Sequence, residues 1–178
     1  MTRLFIAIDL PEEIKKYLFE LQNNIKSNNA KIKFVHKKNL HLTLKFLGNI
    51  ENIEKIKEKL SEIKSRKFSL SISNLSEFPN IKSPRVIWLG IEKEEKLFEL
   101  QRKIDEITLE SSNQPVEYTS HLTIGRIKSI KNKLEFSKLL EKIQIQKLNF
   151  KVEKFSLYKS TLTKEGPRYA ILESYKLN

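Results

Sequence analysis

The sequence predicts an α+β fold of two pseudo-symmetric lobes, each an antiparallel sheet lining a central cleft, with helices on the outside. Three observations carry this expectation. Runs in which apolar residues recur every second position are separated by segments with a helical apolar stripe, so strands and helices alternate. The order repeats at nearly constant spacing: His121 follows His41 by 121 − 41 = 80 residues, Ile87 follows Ile6 by 87 − 6 = 81, and Phe150 follows Phe68 by 150 − 68 = 82. Finally, His41-Leu42-Thr43-Leu44 and His121-Leu122-Thr123-Ile124 each set His and Thr on one face of a strand and Leu or Ile on the other. Alternating helices and strands also suit a parallel α/β sheet. A strand showing His and Thr needs one solvated face, however, which favours antiparallel sheets covered on one side only. Residues 1–178 therefore read as a single bilobal domain, with repeat copies at about 3–78 and 85–158 and a final strand near 169–177. A pseudo-two-fold axis between the copies carries His41 and His121 to opposite walls of one groove.

Each element has a local cause. Leu4, Ile6, Ile8 and Leu10 alternate with Arg3, Phe5, Ala7 and Asp9, the pattern of a half-buried strand. Pro11 with Glu12 and Glu13 opens a helix, because proline suits the first turn and acids complement the dipole. Ile14, Leu18, Leu21 and Ile25 form its apolar stripe, and Asn28-Asn29 end it. Lys33-Phe34-Val35 is a short extended piece leading to the His41 strand, which runs to about Leu47 before Gly48. Ile53, Ile56, Leu60 and Ile63 mark a second helix, and Phe68 to Ser73 alternate as a strand.

Past the loop containing Pro79 and Pro84 the order recurs. Val86 to Ile91 is a strand, and Leu97, Leu100, Ile104 and Ile107 form a helical stripe. Pro115 lies in a loop before the His121 strand; Phe136, Leu139, Leu140 and Ile143 mark another helix, and Phe150 and Val152 begin a strand. At the offset of 82, Phe68, Leu70 and Leu75 fall on Phe150, Val152 and Leu157, and in both copies the period-two pattern slips, as at a β-bulge. Tyr169 to Leu177 follow a Gly166-Pro167 turn as the last strand. Trp88, among apolar neighbours, reads as core. Gly48 and Gly125 read as turn or close-packing glycines, and His36, with lysines beside it and no Thr partner, as exposed.

Composition narrows the classes. A chain of 178 residues, 39% hydrophobic and 31% charged, is long enough to bury a core and is not of disordered type. It has no cysteine, which excludes disulfides, thiol catalysis and thiolate zinc sites. No apolar run reads as a signal peptide or a bilayer span. The cytoplasm is the expected compartment, with no membrane contact and a monomeric chain. The net charge, 34 − 22 = +12, suits a phosphate-bearing partner, but spread lysines on solvated helix faces account for it equally well.

Two histidines without cysteine or a supporting carboxylate motif point to acid–base work rather than a metal site, since catalytic zinc usually takes three protein ligands. Imidazole titrates near neutrality, so one ring can accept a proton while the other donates. A Thr hydroxyl beside each ring can donate to a non-bridging phosphate oxygen. Base, acid and donors together describe displacement at a phosphodiester that needs neither metal nor cofactor. Phe5, on the polar parity of the first strand, and Tyr169 are candidates for stacking on a base, with an edge-of-core place as the alternative for each.

His41-Leu42-Thr43-Leu44-Lys45-Phe46-Leu47-Gly48 and His121-Leu122-Thr123-Ile124-Gly125-Arg126 resemble the two signature motifs of the 2H phosphoesterase superfamily. They are most similar to its RNA 2′,3′-cyclic phosphodiesterase branch, also called 2′-5′ RNA ligases. Arg3 to Pro11 resemble that branch's opening strand, Pro84 to Gly90 its mid-chain strand, and Gly166-Pro167-Arg168-Tyr169 its terminal hairpin. Ser120 stands where many members have Pro, and Lys37-Lys38 where an acidic residue or Pro is common. The resemblance implies opening of an RNA 2′,3′-cyclic phosphate to a 2′-phosphomonoester, on tRNA fragments or short oligonucleotides. It casts His41 as the acid at the 3′-oxygen and His121 as the base for water, with Thr43 and Thr123 holding the phosphate and Arg126 contacting it. With a 5′-hydroxyl attacking in place of water, the same chemistry makes a 2′-5′ linkage without ATP, and on reversal of that step acid and base exchange roles. The rival reading is an RNA- or nucleotide-binding module with the same cleft and no turnover. Its binding would be strongly salt-dependent and would survive loss of either histidine.

Overall fold

In the computed structural model, which describes residues 1–78, 84–109 and 118–178, strands and helices follow one another as the periodicity predicts. The first half runs β1 (Thr2–Asp9), α1 (Glu12–Ile25), β2 (Ala30–Phe34), a 3-10 turn (Lys37–Asn39), β3 (His41–Ile50), α2 (Ile53–Ser61) and β4 (Phe68–Phe78). The second runs β5 (Val86–Ile91), α3 (Glu95–Thr108), β6 (His121–Ile130), α4 (Lys133–Lys142), β7 (Asn149–Val152), β8 (Lys154–Thr163) and β9 (Gly166–Lys176). Pro115 and Pro79 lie outside the described residues.

Two antiparallel sheets form, ordered β3-β1-β8-β9 and β2-β6-β5-β4-β7. The α+β architecture matches the expectation, but the sheets do not coincide with the two halves of the chain. Each sheet takes strands from both halves, so neither half could close its core without the other. The crossing point is where the sequence pattern slips. In the second copy the slip is a break at Glu153: β7 stays in the five-stranded sheet and β8 enters the four-stranded one. In the first copy β4 stays in one sheet and its register slips between Ile72 and Leu75.

Helix ends are set by side chains 80 residues apart. Asn52 and Asn132 begin α2 and α4, their side-chain oxygens accepting from the Lys55 and Glu135 amides at 3.0 and 3.2 Å. Caps of this kind stabilise a helix by about 1 kcal/mol. Helix α1 buries its predicted stripe together with Gln22, which is 2% exposed. That amide donates to the carbonyls of Val35 and Ile124, both at 2.8 Å, satisfying its N–H groups and tying α1 to the strand that carries His121.

Three details depart from the sequence pattern. Strand β1 is buried on both faces from Leu4 to Ile8, not on one. Its second face carries Phe5 and Ala7, which pack with Tyr158 and Tyr169 into a small cluster of their own. Strand β3 does not stop at Leu47 but continues to Ile50, with Gly48 at φ +76°, opposite Leu4, where the register slips by a residue. Gly125 is a close-packing glycine: a Cβ there would lie 2.9 Å from Ile32 Cγ2 and 3.2 Å from Phe34 Cδ1. Gly125→Ala must push β2 away from β6. An over-packing loss of about 1–3 kcal/mol is expected, read as a lower denaturant midpoint at unchanged slope; an unshifted midpoint would refute that account.

Candidate active site

Strands β3 and β6 alternate between cleft-facing and buried residues: His41 and Thr43 alternate with buried Leu42 and Leu44, and His121 and Thr123 with buried Leu122 and Ile124. All four polar side chains line one cleft of about 450 Å³, together with Phe46, Arg126 and Tyr169. The geometry thus brings together six of the seven residues singled out from sequence.

Each strand bulges directly after its threonine. Opposite β1, Thr43 pairs with Ala7 and Lys45 with Ile6, leaving Leu44 as the extra residue. Opposite β5, Thr123 pairs with Trp88 and Gly125 with Ile87, leaving Ile124 extra, again 80 residues on. The bulges reverse the parity beyond the threonines, so Phe46 and Arg126 turn into the cleft. Lys45 turns away, to a partly buried ion pair with Asp105 of α3, whose other oxygen accepts from Gln101 at 2.7 Å. That pair holds β3 against α3.

The rings are set the same way on both walls. His41 Nδ1 lies 2.6 Å from the Asn39 carbonyl and His121 Nδ1 lies 2.7 Å from the Thr119 carbonyl. A carbonyl only accepts, so Nδ1 carries the hydrogen in each neutral ring and Nε2 carries the lone pair that takes up or releases a proton. Asn39 is itself buried and donates from Nδ2 to the Pro167 carbonyl at 2.9 Å, anchoring the β8–β9 hairpin to the His41 wall.

The walls differ in what surrounds the rings. His41 stands over Phe5 (centroids 5.0 Å), with Tyr169 edge-on at 5.4 Å and Tyr158 at 6.3 Å. Burial pushes its pKa below the ordinary imidazole value; the Asn39 carbonyl and Asp9 oppose that shift, while Lys15 and His121 add to it. Asp9, cross-strand from His41, is paired with Lys15 at 2.7 Å. On the other wall Trp88 stands edge-on to His121 at 5.7 Å. Trp88 is therefore half-buried beside the site, not a core residue, because its partner across the ladder is the cleft-facing Thr123.

Phe5 is 2% exposed and does not line the cleft, so it is the floor beneath His41 and has no face left for a base. Tyr169 keeps a cleft-facing surface. Arg126 is exposed and makes no ion pair with another described residue. His36 is exposed at the rim, its Nδ1 accepting from the Lys38 amide at 3.4 Å. Sequence reasoning missed Phe46, which is 65% exposed and offers an aromatic face to the cleft. Its signal was present: Phe46 stands five residues after His41, as Arg126 does after His121. Among the described residues no group of three or more His, Cys, Asp or Glu is placed to hold a metal ion.

Comparison with known proteins shows what the chain is similar to. A model of the LigT-like phosphoesterases matches the chain twice, over residues 8–88 and 89–169. An RNA 2′,3′-cyclic phosphodiesterase of Methanocaldococcus jannaschii is 38% identical over 97% of this chain and 99% of its own length. Its counterpart in Methanothermobacter thermautotrophicus is 35% identical over 99% of each. The crystal structure of E. coli LigT complexed with 3′-AMP superposes with a TM-score of 0.78 at 26% identity, covering 99% of this chain and 98% of that one. On these grounds the chain belongs to the LigT-like phosphoesterases, the 2H group of RNA 2′,3′-cyclic phosphodiesterases that its two His-x-Thr strands resemble.

Proposed function

We propose that this protein opens the 2′,3′-cyclic phosphate at an RNA end to a 2′-phosphomonoester, without a metal, using His41 and His121 as its acid and base. One observation carries the reading: two imidazoles, each fixed through Nδ1 by a carbonyl two residues upstream, line a single cleft beside two threonines. In the hydrolytic direction His121 takes a proton from water as its oxygen bonds to phosphorus. The bond from phosphorus to the 3′-oxygen breaks, and His41 gives that oxygen its proton. Thr43 and Thr123 donate to the non-bridging oxygens, whose charge changes most in the transition state. Arg126 adds a guanidinium to the anion. Phe46, with the exposed edge of Tyr169, offers the terminal base a stacking face; 3′-AMP bound to E. coli LigT supports a nucleotide-sized occupant in this fold.

The same arrangement, entered by a 5′-hydroxyl in place of water, joins two RNA ends through a 2′-5′ linkage with each histidine in the role it has in hydrolysis; cleavage of that linkage back to the cyclic phosphate exchanges the roles. Among the described residues no helix is long and apolar enough to cross a membrane. We place the protein in the cytoplasm as a monomer acting on tRNA fragments or short oligonucleotides.

The test is incubation with an oligonucleotide ending in a 2′,3′-cyclic phosphate, with EDTA present, followed by separation of the 2′- and 3′-phosphate products. Full activity in EDTA and a 2′-phosphate are expected. A 3′-phosphate would overturn the assignment of the leaving oxygen, loss of activity in EDTA the metal-free mechanism, and tight binding without turnover would leave a binding module.

A further inference from the structure

Next to the cleft lies a second, shallower groove of about 410 Å³, lined by Pro84, Arg85, Ile127, Lys128, Ile130 and Lys133, with Ser129 beside them. Lys128 lines both cavities, so the two adjoin at its side chain. We infer that this groove carries the backbone phosphates of an RNA strand whose cyclic-phosphate end occupies the cleft, which makes an oligonucleotide the substrate this surface is built for. The inference rests on the cleft being the cyclic-phosphate site.

Its charge is unopposed, unlike that of several lysines elsewhere on the surface. Lys15, Lys37, Lys57, Lys138 and Lys147 are each paired with a carboxylate. Arg85, Lys128 and Lys133 are exposed, form no ion pair with another described residue, and share their groove with no Asp or Glu. Unopposed cations in a concave surface bind a polyanion through release of its counterions. The floor between them, Ile127 and Ile130 with Pro84, is apolar and suits the faces of sugars. The backbone holds the cations together: the Ile127 amide donates to the Arg85 carbonyl at 2.8 Å, keeping the entry to β5 beside β6.

Pseudo-symmetry supplies an internal control. Eighty residues earlier, Arg126, Lys128 and Lys133 correspond to Phe46, Gly48 and Ile53, none of them charged. The fold therefore does not require cations at these three places. A strand leaving the cleft is thereby given a direction, with its terminal base towards Phe46 and its upstream phosphates towards Arg126, Lys128, Arg85 and Lys133. His121 and Lys128 are seven residues apart on β6, at most about 23 Å at roughly 3.3 Å per residue. A short oligonucleotide is long enough to cover that span. A different shallow groove, lined by Lys26, Asn28 and Lys31, meets the cleft through Phe34.

The experiment compares the unaltered protein, Arg85→Glu/Lys133→Glu and Lys31→Glu on two substrates, a 2′,3′-cyclic mononucleotide and an oligonucleotide long enough to cross both cavities. Neither Arg85 nor Lys133 lines the cleft, so turnover of the mononucleotide should match that of the unaltered protein. KM for the oligonucleotide should rise about tenfold or more, and its logarithmic salt dependence should flatten by about 1.4, two contacts at about 0.7 each for a single strand. Lys31→Glu should change neither substrate. The inference is overturned if the double variant handles the oligonucleotide normally, if it loses the mononucleotide equally, or if Lys31→Glu has the larger effect. Failure of the unaltered protein on both substrates would instead bring down the reading of the cleft, and the groove with it.

Discussion

Replacing His41 or His121 by alanine should each lower kcat/KM on a cyclic-phosphate end by about 10²- to 10⁴-fold, a rise of roughly 3–5 kcal/mol in the barrier. The double variant should fall little further, because acid and base act in one step. Oligonucleotide affinity should change only slightly, since the cations of the cleft remain; a parallel collapse of binding would contradict the catalytic assignment. Alanine at His41 leaves the Asn39 carbonyl without its donor, so His41→Gln is the companion variant: it can still donate but cannot titrate near neutrality. The pH profile separates the two roles. Burial lowers the His41 pKa, so the ring loses its proton below the ordinary value near 6.5. If His41 is the acid, kcat/KM, which reports the free enzyme, should fall on the alkaline side from below that value. The limb in kcat should lie at higher pH, because an anionic phosphate beside the ring favours its charged form. A profile whose acidic limb carries the displaced His41 titration would exchange the two assignments. NMR titration of the His41 ring, with and without inorganic phosphate, identifies the group directly.

Much of this site was legible in the sequence because strand parity is a rigid rule over short distances. His41 and Thr43, or His121 and Thr123, are two residues apart with no irregularity between them, so period two places them together. Parity fails beyond the first irregularity, and the bulges at Leu44 and Ile124 fall immediately after the motif. Continued alternation would have put Lys45 in the cleft and Phe46 outside it. Arg126 was identified through resemblance, and its pseudo-symmetric partner Phe46, which no charge marks, was passed over. Backbone acceptors leave no trace at all: the carbonyls of Asn39 and Thr119 orient the rings whatever side chains those residues carry. The exchange of strands between halves was equally hidden, since a pattern of elements does not say which strands pair. The slip near Glu153 marked the place, and only pairing showed that the chain changes sheets there.

Phe5→Ala should cost about 3–5 kcal/mol of stability, as removal of a fully buried aromatic side chain does, which for a chain of this length lowers Tm by roughly 6–20 °C. Phe5 touches no solvent-facing part of the cleft, yet four rings rest on it: His41, Tyr158 and Tyr169 at about 5 Å, and Phe46 at 6.0 Å. The His41 hydrogen bond to Asn39 fixes Nδ1 but leaves the ring free to tilt about it, and the face of Phe5 removes that freedom. Phe5 is therefore a positioning residue, and stability alone cannot show this. Phe155→Ala provides the comparison: Phe155 is also fully buried, but it packs against Tyr175 in the main core, away from either histidine. Both variants should lose similar stability. Assayed well below their transitions, Phe5→Ala should lose kcat with little change in KM, and Phe155→Ala should keep both. Phe5→Leu, which restores most of the volume but not the flat face, should recover more Tm than kcat. Equal kcat in the two alanine variants would reduce Phe5 to ordinary packing, and the His41 ring would then owe its orientation to the Asn39 carbonyl and the edge of Tyr169 alone.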